Sequence, residues 1–141
     1  MLKSQPYIIL VDDDENNIER LSFSLACFGI STKLFESGFE VINYLNQIAG
    51  STILPSVIIL NKNLPKVNGR QLLILMKSNM VTQHIPVVIY YNYITGQYRD
   101  NLLKCGAHCC LRKWNTQLEF SEHVKLFKDL AWTFTTIDSM A

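Results

Sequence analysis

The chain is patterned as short apolar runs separated by longer stretches of mixed polarity. Tyr7-Ile-Ile-Leu-Val11 and Val57-Ile-Ile-Leu60 are unbroken, with no position left to face water. Such runs suit strands buried on both faces of a parallel sheet, since a half-exposed strand would alternate. Pro86-Val-Val-Ile-Tyr-Tyr91 reads the same way, and Thr32-Lys-Leu-Phe35 and His108-Cys-Cys-Leu111 are shorter strands. Between the runs, apolar residues recur at helical spacing. Ile18, Leu21, Leu25 and Phe28 form the first stripe, with Asp13 or Asp14 as its natural N-cap and Gly29 as its stop. Ser37-Gly-Phe-Glu40 has capping-box form and opens a helix with Val41, Tyr44, Leu45 and Ile48 on its buried face. A turn from Gly50 to Pro55 leads into the third strand. After Gly69 a helix carries Leu72, Leu73, Leu75, Met76 and Met80, and another runs from near Thr95 to Cys105. The last follows Thr116-Gln-Leu-Glu119 and places Phe120, Val124, Phe127, Ala131 and Phe134 along one stripe, with Leu126 and Leu130 beside it. Five strands alternating with five helices, with no hairpin signal, predict an α/β parallel sheet covered on both faces.

Composition narrows the class of partner. The expected organisation is one domain over 1–141, with 135–141 as a helix end or a frayed tail. A chain of this length buries roughly two-thirds of its unfolded surface. Thirteen Lys and Arg against twelve Asp and Glu give a net charge of +1 without a basic block, which argues against nucleic acid or an anionic membrane as partner. No apolar run reaches the length of a spanning helix. Met1-Leu-Lys-Ser-Gln-Pro6 lacks the apolar core and cleavage site of a signal peptide, so a cytoplasmic location is expected. Cys27, Cys105, Cys109 and Cys110 should then be free thiols. Cys105-Gly-Ala-His-Cys-Cys110 superficially offers metal ligands, but neighbours on a strand point to opposite faces and no second cluster completes a site.

The chemistry-bearing residues gather at strand ends. In an open parallel sheet, ligands sit just beyond the carboxyl ends of the strands. The first strand ends in Asp12-Asp-Asp-Glu15, and three aspartates in succession are more than a cap requires. The third ends at Asn61, where a loop marked by Pro65 and Gly69 begins. The fourth ends at Tyr91 and the fifth at Arg112-Lys113-Trp114.

Taken together these ends resemble the receiver domain of bacterial two-component response regulators, over almost the whole chain. Val11-Asp12-Asp13 resembles the acidic pair of that family, and Asn61-x-x-Leu64-Pro65-x-x-x-Gly69 its D-x-x-[ML]-P-x-x-x-G loop. Gly106-Ala107, an apolar pair and Lys113 resemble its G-A-x-x-[YF]-[LI]-x-K-P ending. The resemblance implies a flavodoxin-like (CheY-like) doubly wound sheet in the order 2-1-3-4-5. It also implies a mechanism. An aspartate at the third strand's end takes a phosphoryl group from a histidine kinase. The acidic pair binds Mg²⁺, a Ser or Thr on the fourth strand contacts the phosphoryl group, and the lysine stabilises it.

Against that pattern the chain departs at four positions: Asn61, Tyr91, Cys110 and Trp114. Asn61 stands at the acceptor position, and a neutral carboxamide cannot form an acyl phosphate by attack as a carboxylate can. Tyr91 stands where the family has Ser or Thr, Cys110 at the aromatic switch position, and Trp114 where a proline follows the lysine. A non-proline cis bond costs ~3 kcal/mol, so that loop is expected to be trans. Asp12, Asp13 and Lys113 remain. They read either as a weak residual Mg²⁺ site or, in the favoured reading, as an ion pair in which Lys113 neutralises the acidic pair. No cofactor is required on either account. Tyr90 is core by alternation, whereas Tyr93, Tyr98, Cys110 and Trp114 are candidates for an interface. In receivers the fourth helix, fifth strand and fifth helix form the usual docking and dimer face.

The expectation is therefore a non-enzymatic, stand-alone pseudo-receiver acting by protein–protein contact. Its partner would be a histidine kinase or another signalling protein, and a homodimer is compatible with the same face. The rivals are a working phosphotransfer receiver that uses Asp12 or Asp13 as acceptor, and a small-ligand sensor using the altered pocket.

Overall fold

The computed structural model describes residues 5–50 and 53–140, with 135–140 as backbone only. The opening residues 1–4, the 51–52 part of the turn before the third strand, and Ala141 lie outside the described residues. Strands and helices alternate as β1 (Tyr7–Val11), α1 (Glu15–Ala26), β2 (Ser31–Phe35), α2 (Gly38–Ile48), β3 (Val57–Asn61), α3 (Gly69–Lys77), β4 (Val87–Tyr91), α4 (Gly96–Lys104), β5 (Cys109–Arg112) and α5 (Gln117–Met140). All five strands are parallel, in the order β2-β1-β3-β4-β5. This is the flavodoxin-like, doubly wound arrangement.

The unbroken apolar runs are explained by two cores, one on each face. Ile9, Val11, Ile58, Leu60, Val87 and Ile89 point to the side covered by α2, α3 and α4, against Val41, Leu45, Leu72, Leu73, Met76 and Leu102. Their chain neighbours Ile8, Leu10, Val57, Ile59, Val88 and Tyr90 point to the other side. There α1 and α5 supply Ile18, Leu21, Leu25, Phe120, Val124, Phe127 and Ala131. Residues of the three inner strands β1, β3 and β4 therefore meet a helix whichever way they face, which is why no polar residue interrupts β1, or β3 before its last residue.

Local signals account for most helix ends. Asp14 is the N-cap of α1, its carboxylate accepting from the backbone of Asn16 and Asn17. Ser37 caps α2 by accepting from Glu40 N at 3.4 Å, but the Glu40 carboxylate turns to Glu36 N instead of closing the box. A full capping box forms at Asn68 and Gln71, at the start of α3. Thr116 Oγ1 accepts from Glu119 N at 3.1 Å. Three apolar positions placed on helical stripes are exposed instead. Phe28 is 50% exposed because α1 ends at Ala26, and Met80 is 83% exposed because α3 ends at Lys77. Leu75, also 50% exposed, lies on the outer side of α3.

Candidate functional site

Strand alternation assembles the floor of the cleft. On β1, Ile8 and Leu10 face α1 and α5, so Asp12, two residues further on, falls on that side just past the strand. The same count from Val57 and Ile59 puts Asn61 there, and Val88 is followed by Tyr90. Register then sets them in a row across three strands: Val11 lies opposite Leu60, and Asn61 opposite Tyr90.

Asp12 is fully buried and sits at the centre. Its Oδ1 accepts from Asp14 N at 3.0 Å and from Asn61 Nδ2 at 3.1 Å. Its Oδ2 accepts from Asn17 Nδ2 at 3.2 Å and from the hydroxyl of Tyr90. An ionised carboxylate offers about four lone-pair sites, so these donors use its whole accepting capacity. Asn61 is held at its other end as well, Oδ1 accepting from Asn63 N at 3.1 Å. Burial, then the negative charge of Asp12 and the hydrogen bond to it, push the Tyr90 hydroxyl far above the ordinary phenol value. Tyr90 therefore stays a neutral donor.

Above this floor lies a cleft of about 300 Å³ lined by Asp12, Asp13, Asn61, Tyr90, Tyr91 and Lys113 among others. Asp13 is exposed, with no hydrogen bond or ion pair among the described residues. Tyr91 is half-buried and packs toward the α2–α4 core. Both tyrosines reach the cleft, but the hydroxyl on the acidic pair belongs to Tyr90. Lys113 makes no ion pair with Asp12 or Asp13 within 4.0 Å; its ammonium stands 5.7 Å from the Trp114 ring. The ion-pair reading of these three residues is thus corrected: tyrosine and amide donors, not the lysine, satisfy the buried carboxylate. Lys62 Nζ donates to Tyr93 O at 3.5 Å and lies 4.7 Å from the Tyr98 ring centroid, joining the β3–α3 turn to the head of α4.

The interface candidates separate into two groups. Tyr93 is 76% exposed and Tyr98 is half-buried beside it, both near the start of α4. Cys110 and Trp114 are buried and correct the expectation of a surface role. Cys110 alternates inward to the α2–α4 core. Trp114 turns under the sheet end to pack on Tyr90 at 6.1 Å and edge-on against Phe120 at 5.0 Å. The bulk that replaces a proline is spent on core, and no described peptide bond is cis. Two residues of the floor, Asn17 and Tyr90, had no place in the motif reading. Tyr90 shares its strand parity with Asn61, and Asn17 lies three residues past the cap; either signal could have found them.

A lone free carboxylate does not make a hard-cation site, which needs several oxygen ligands. Asp14 is engaged as a cap and Asp12 is saturated. Among the described residues no group of three or more His, Cys, Asp or Glu side chains could hold a metal ion. The residues present therefore do not fit Mg²⁺.

The family model for the response regulator receiver domain matches residues 8–125, and the chain belongs to that family. It is a receiver domain of two-component signalling. Among solved structures it is similar to the phosphorylated cyanobacterial phytochrome response regulator RcpA, at 25% identity and TM-score 0.81, over 92% of this chain and 95% of that one. The Mn²⁺-bound form of response regulator Rcp1 aligns at 23% identity and TM-score 0.75, over 87% and 91% of the two chains. The Francisella response regulator 1452 receiver domain aligns at 22% and 0.72, over 89% and 98%. At their identities the last two bear on the fold alone. No curated protein matches the chain. No helix among the described residues is long and apolar enough to cross a membrane.

Proposed function

We propose that this chain is a pseudo-receiver: a single cytoplasmic, non-enzymatic domain over 1–141 that signals by protein–protein contact without aspartyl phosphorylation. One observation carries the reading. The group at the phosphoacceptor position is an amide whose nitrogen donates to Asp12 and whose oxygen accepts from Asn63 N, so neither end is a nucleophile. Tyr91 beside it and the buried Trp114 support the same conclusion, since neither is the small or flexible group a phosphate-operated readout uses. Asp12 makes a poor substitute acceptor, because all its lone pairs face protein donors. The partner is a histidine kinase or another signalling protein, met through the face that presents Tyr93 and Tyr98. A partner of this kind acts by favouring one of two conformations through differential affinity.

The test is incubation with acetyl phosphate or a histidine kinase in the presence of Mg²⁺, followed by intact mass. No adduct is expected, and the Asn61→Asp variant is expected to phosphorylate poorly while Tyr91 remains. An acid-labile gain of about 80 Da on the wild-type chain, one phosphoryl group, would refute the proposal.

A further inference from the structure

We infer that the hydrogen-bond donors around Asp12 do the structural work of a divalent cation, and that they close the cleft to such a cation. The inference deepens the reading of Asn61 as a standing amide and rests on it.

Two carboxylates facing each other across the ends of β1 and β3 would repel and would need a positive charge between them. Here Asn61 Nδ2 supplies the positive end of a dipole, 3.1 Å from Asp12 Oδ1. The Tyr90 hydroxyl reaches past Asn61 from β4 to Oδ2, and Asn17 Nδ2 reaches the same atom from the first turn of α1 at 3.2 Å. Four elements, β1, β3, β4 and α1, thus meet on one buried carboxylate through direct hydrogen bonds. A cation entering from the cleft would have to strip donors from Asp12, and each stripped donor would be left unpaired or forced to rotate. Among the described carboxylates lining the cleft, Asp13 is the one that makes no hydrogen bond and can be offered in exchange.

The experiment titrates the wild-type chain with MgCl₂, and with MnCl₂ as a more avid probe of the same charge. The readouts are the thermal midpoint and tryptophan fluorescence, Trp114 being packed on Tyr90 at 6.1 Å. Neither ion should give a saturable response in the millimolar range. Asn61→Asp removes one donor and adds a carboxylate. Together with Tyr90→Phe, it frees one position on each oxygen of Asp12. The double variant should gain a saturable Mn²⁺ response, with a thermal midpoint that rises on adding metal. A saturable response of the wild-type chain to either ion overturns the inference. So does a folded double variant, verified by circular dichroism, that stays silent. Should the double variant fail to fold, Tyr90→Phe alone is titrated; it frees one position on Asp12 Oδ2 and leaves every carboxylate in place, so a saturable Mn²⁺ response absent from the wild type is expected, and a folded Tyr90→Phe that stays as silent as the wild type overturns the inference. Metal binding by the wild-type chain without a phosphoryl adduct would sink this inference alone, whereas an adduct on the wild-type chain sinks the function proposed above.

Discussion

Tyr90→Phe isolates one hydroxyl on the buried carboxylate while keeping the ring packed on Trp114. Hydrogen bonds to charged groups contribute about 1.5–3 kcal/mol, and a buried acceptor left short of partners sits at the upper end. After the change Asp12 Oδ2 retains only Asn17 Nδ2 among the described residues. A loss of about 2–3 kcal/mol is therefore expected. For a chain of this size each kcal/mol moves the thermal midpoint by roughly 3–5 °C, so a drop of about 6–15 °C should appear by calorimetry. The alkaline limb supplies a second readout. The folded Tyr90 hydroxyl titrates far above its unfolded value, mainly through burial and then through the negative charge of Asp12. The unfolded chain releases that proton first, near pH ~10, so the stability from this group is full below that pH and is lost as pH rises above it. Tyr7 is raised too, by burial and its bond to Tyr44, and stays in both proteins. The variant should therefore show a shallower, not an absent, alkaline decline. A variant within about 0.5 kcal/mol of wild type would refute the assignment of Tyr90 to Asp12, and an unchanged alkaline slope would refute the upward shift of its hydroxyl.

Gly69→Ala should destabilise by about 1–3 kcal/mol in urea melts, because the added Cβ overpacks a tight approach of α3 to β3. That Cβ would stand 2.8 Å from Leu60 Cδ1, 2.9 Å from Asn61 O and 3.0 Å from Lys62 Cα; a neutral result would contradict the close packing. Lys113→Met should change stability by less than about 1 kcal/mol, the scale of an exposed cation–π contact, and a loss of several would restore the ion-pair reading. His123 packs between Trp114 and Phe127, and burial lowers its pKa, partly opposed by Glu119 and Glu122. Its unfolded form protonates first as pH falls below about 6.5, so stability from this group declines on the acid side. Urea midpoints compared between pH 7 and 5 should fall less in His123→Phe than in wild type.

The strands were legible because a doubly covered sheet needs apolar side chains on both faces, which leaves runs such as Val57–Leu60 without a polar interruption. Their order across the sheet was not legible from pattern, because periodicity says which face a residue takes and nothing about which strand lies beside it. It came from the motif resemblance. The positions of the site came the same way: Asp12, Asn61 and Lys113 do line one cleft. What the motifs hid was the bonding. Tyr90 looks like one more core aromatic, and its ring is core, but a phenol carries a polar tip that must find a partner when buried. Trp114 misled in the opposite sense, since a loop position beside a charged residue suggests exposure, while the neighbouring Tyr90 and Phe120 rings offer it a buried berth. Helix ends carried a similar ambiguity: Met80 fits the stripe of α3, but the chain leaves the helix at Ser78.

The contacts of Lys62 are weaker than the bonds that hold the cleft floor. Its contacts to Tyr93 O and the Tyr98 ring join the rim of the β3–α3 turn to the head of α4. Each such contact at an accessible site is worth about 0.5–1 kcal/mol, close to thermal energy, whereas the bonds beneath it run through a buried charge. Loss of the Lys62 contacts should therefore cost less than loss of a bond to Asp12. A partner bound at Tyr93 would then act on the weaker of the two sets of contacts and leave the bonds to Asp12 in place.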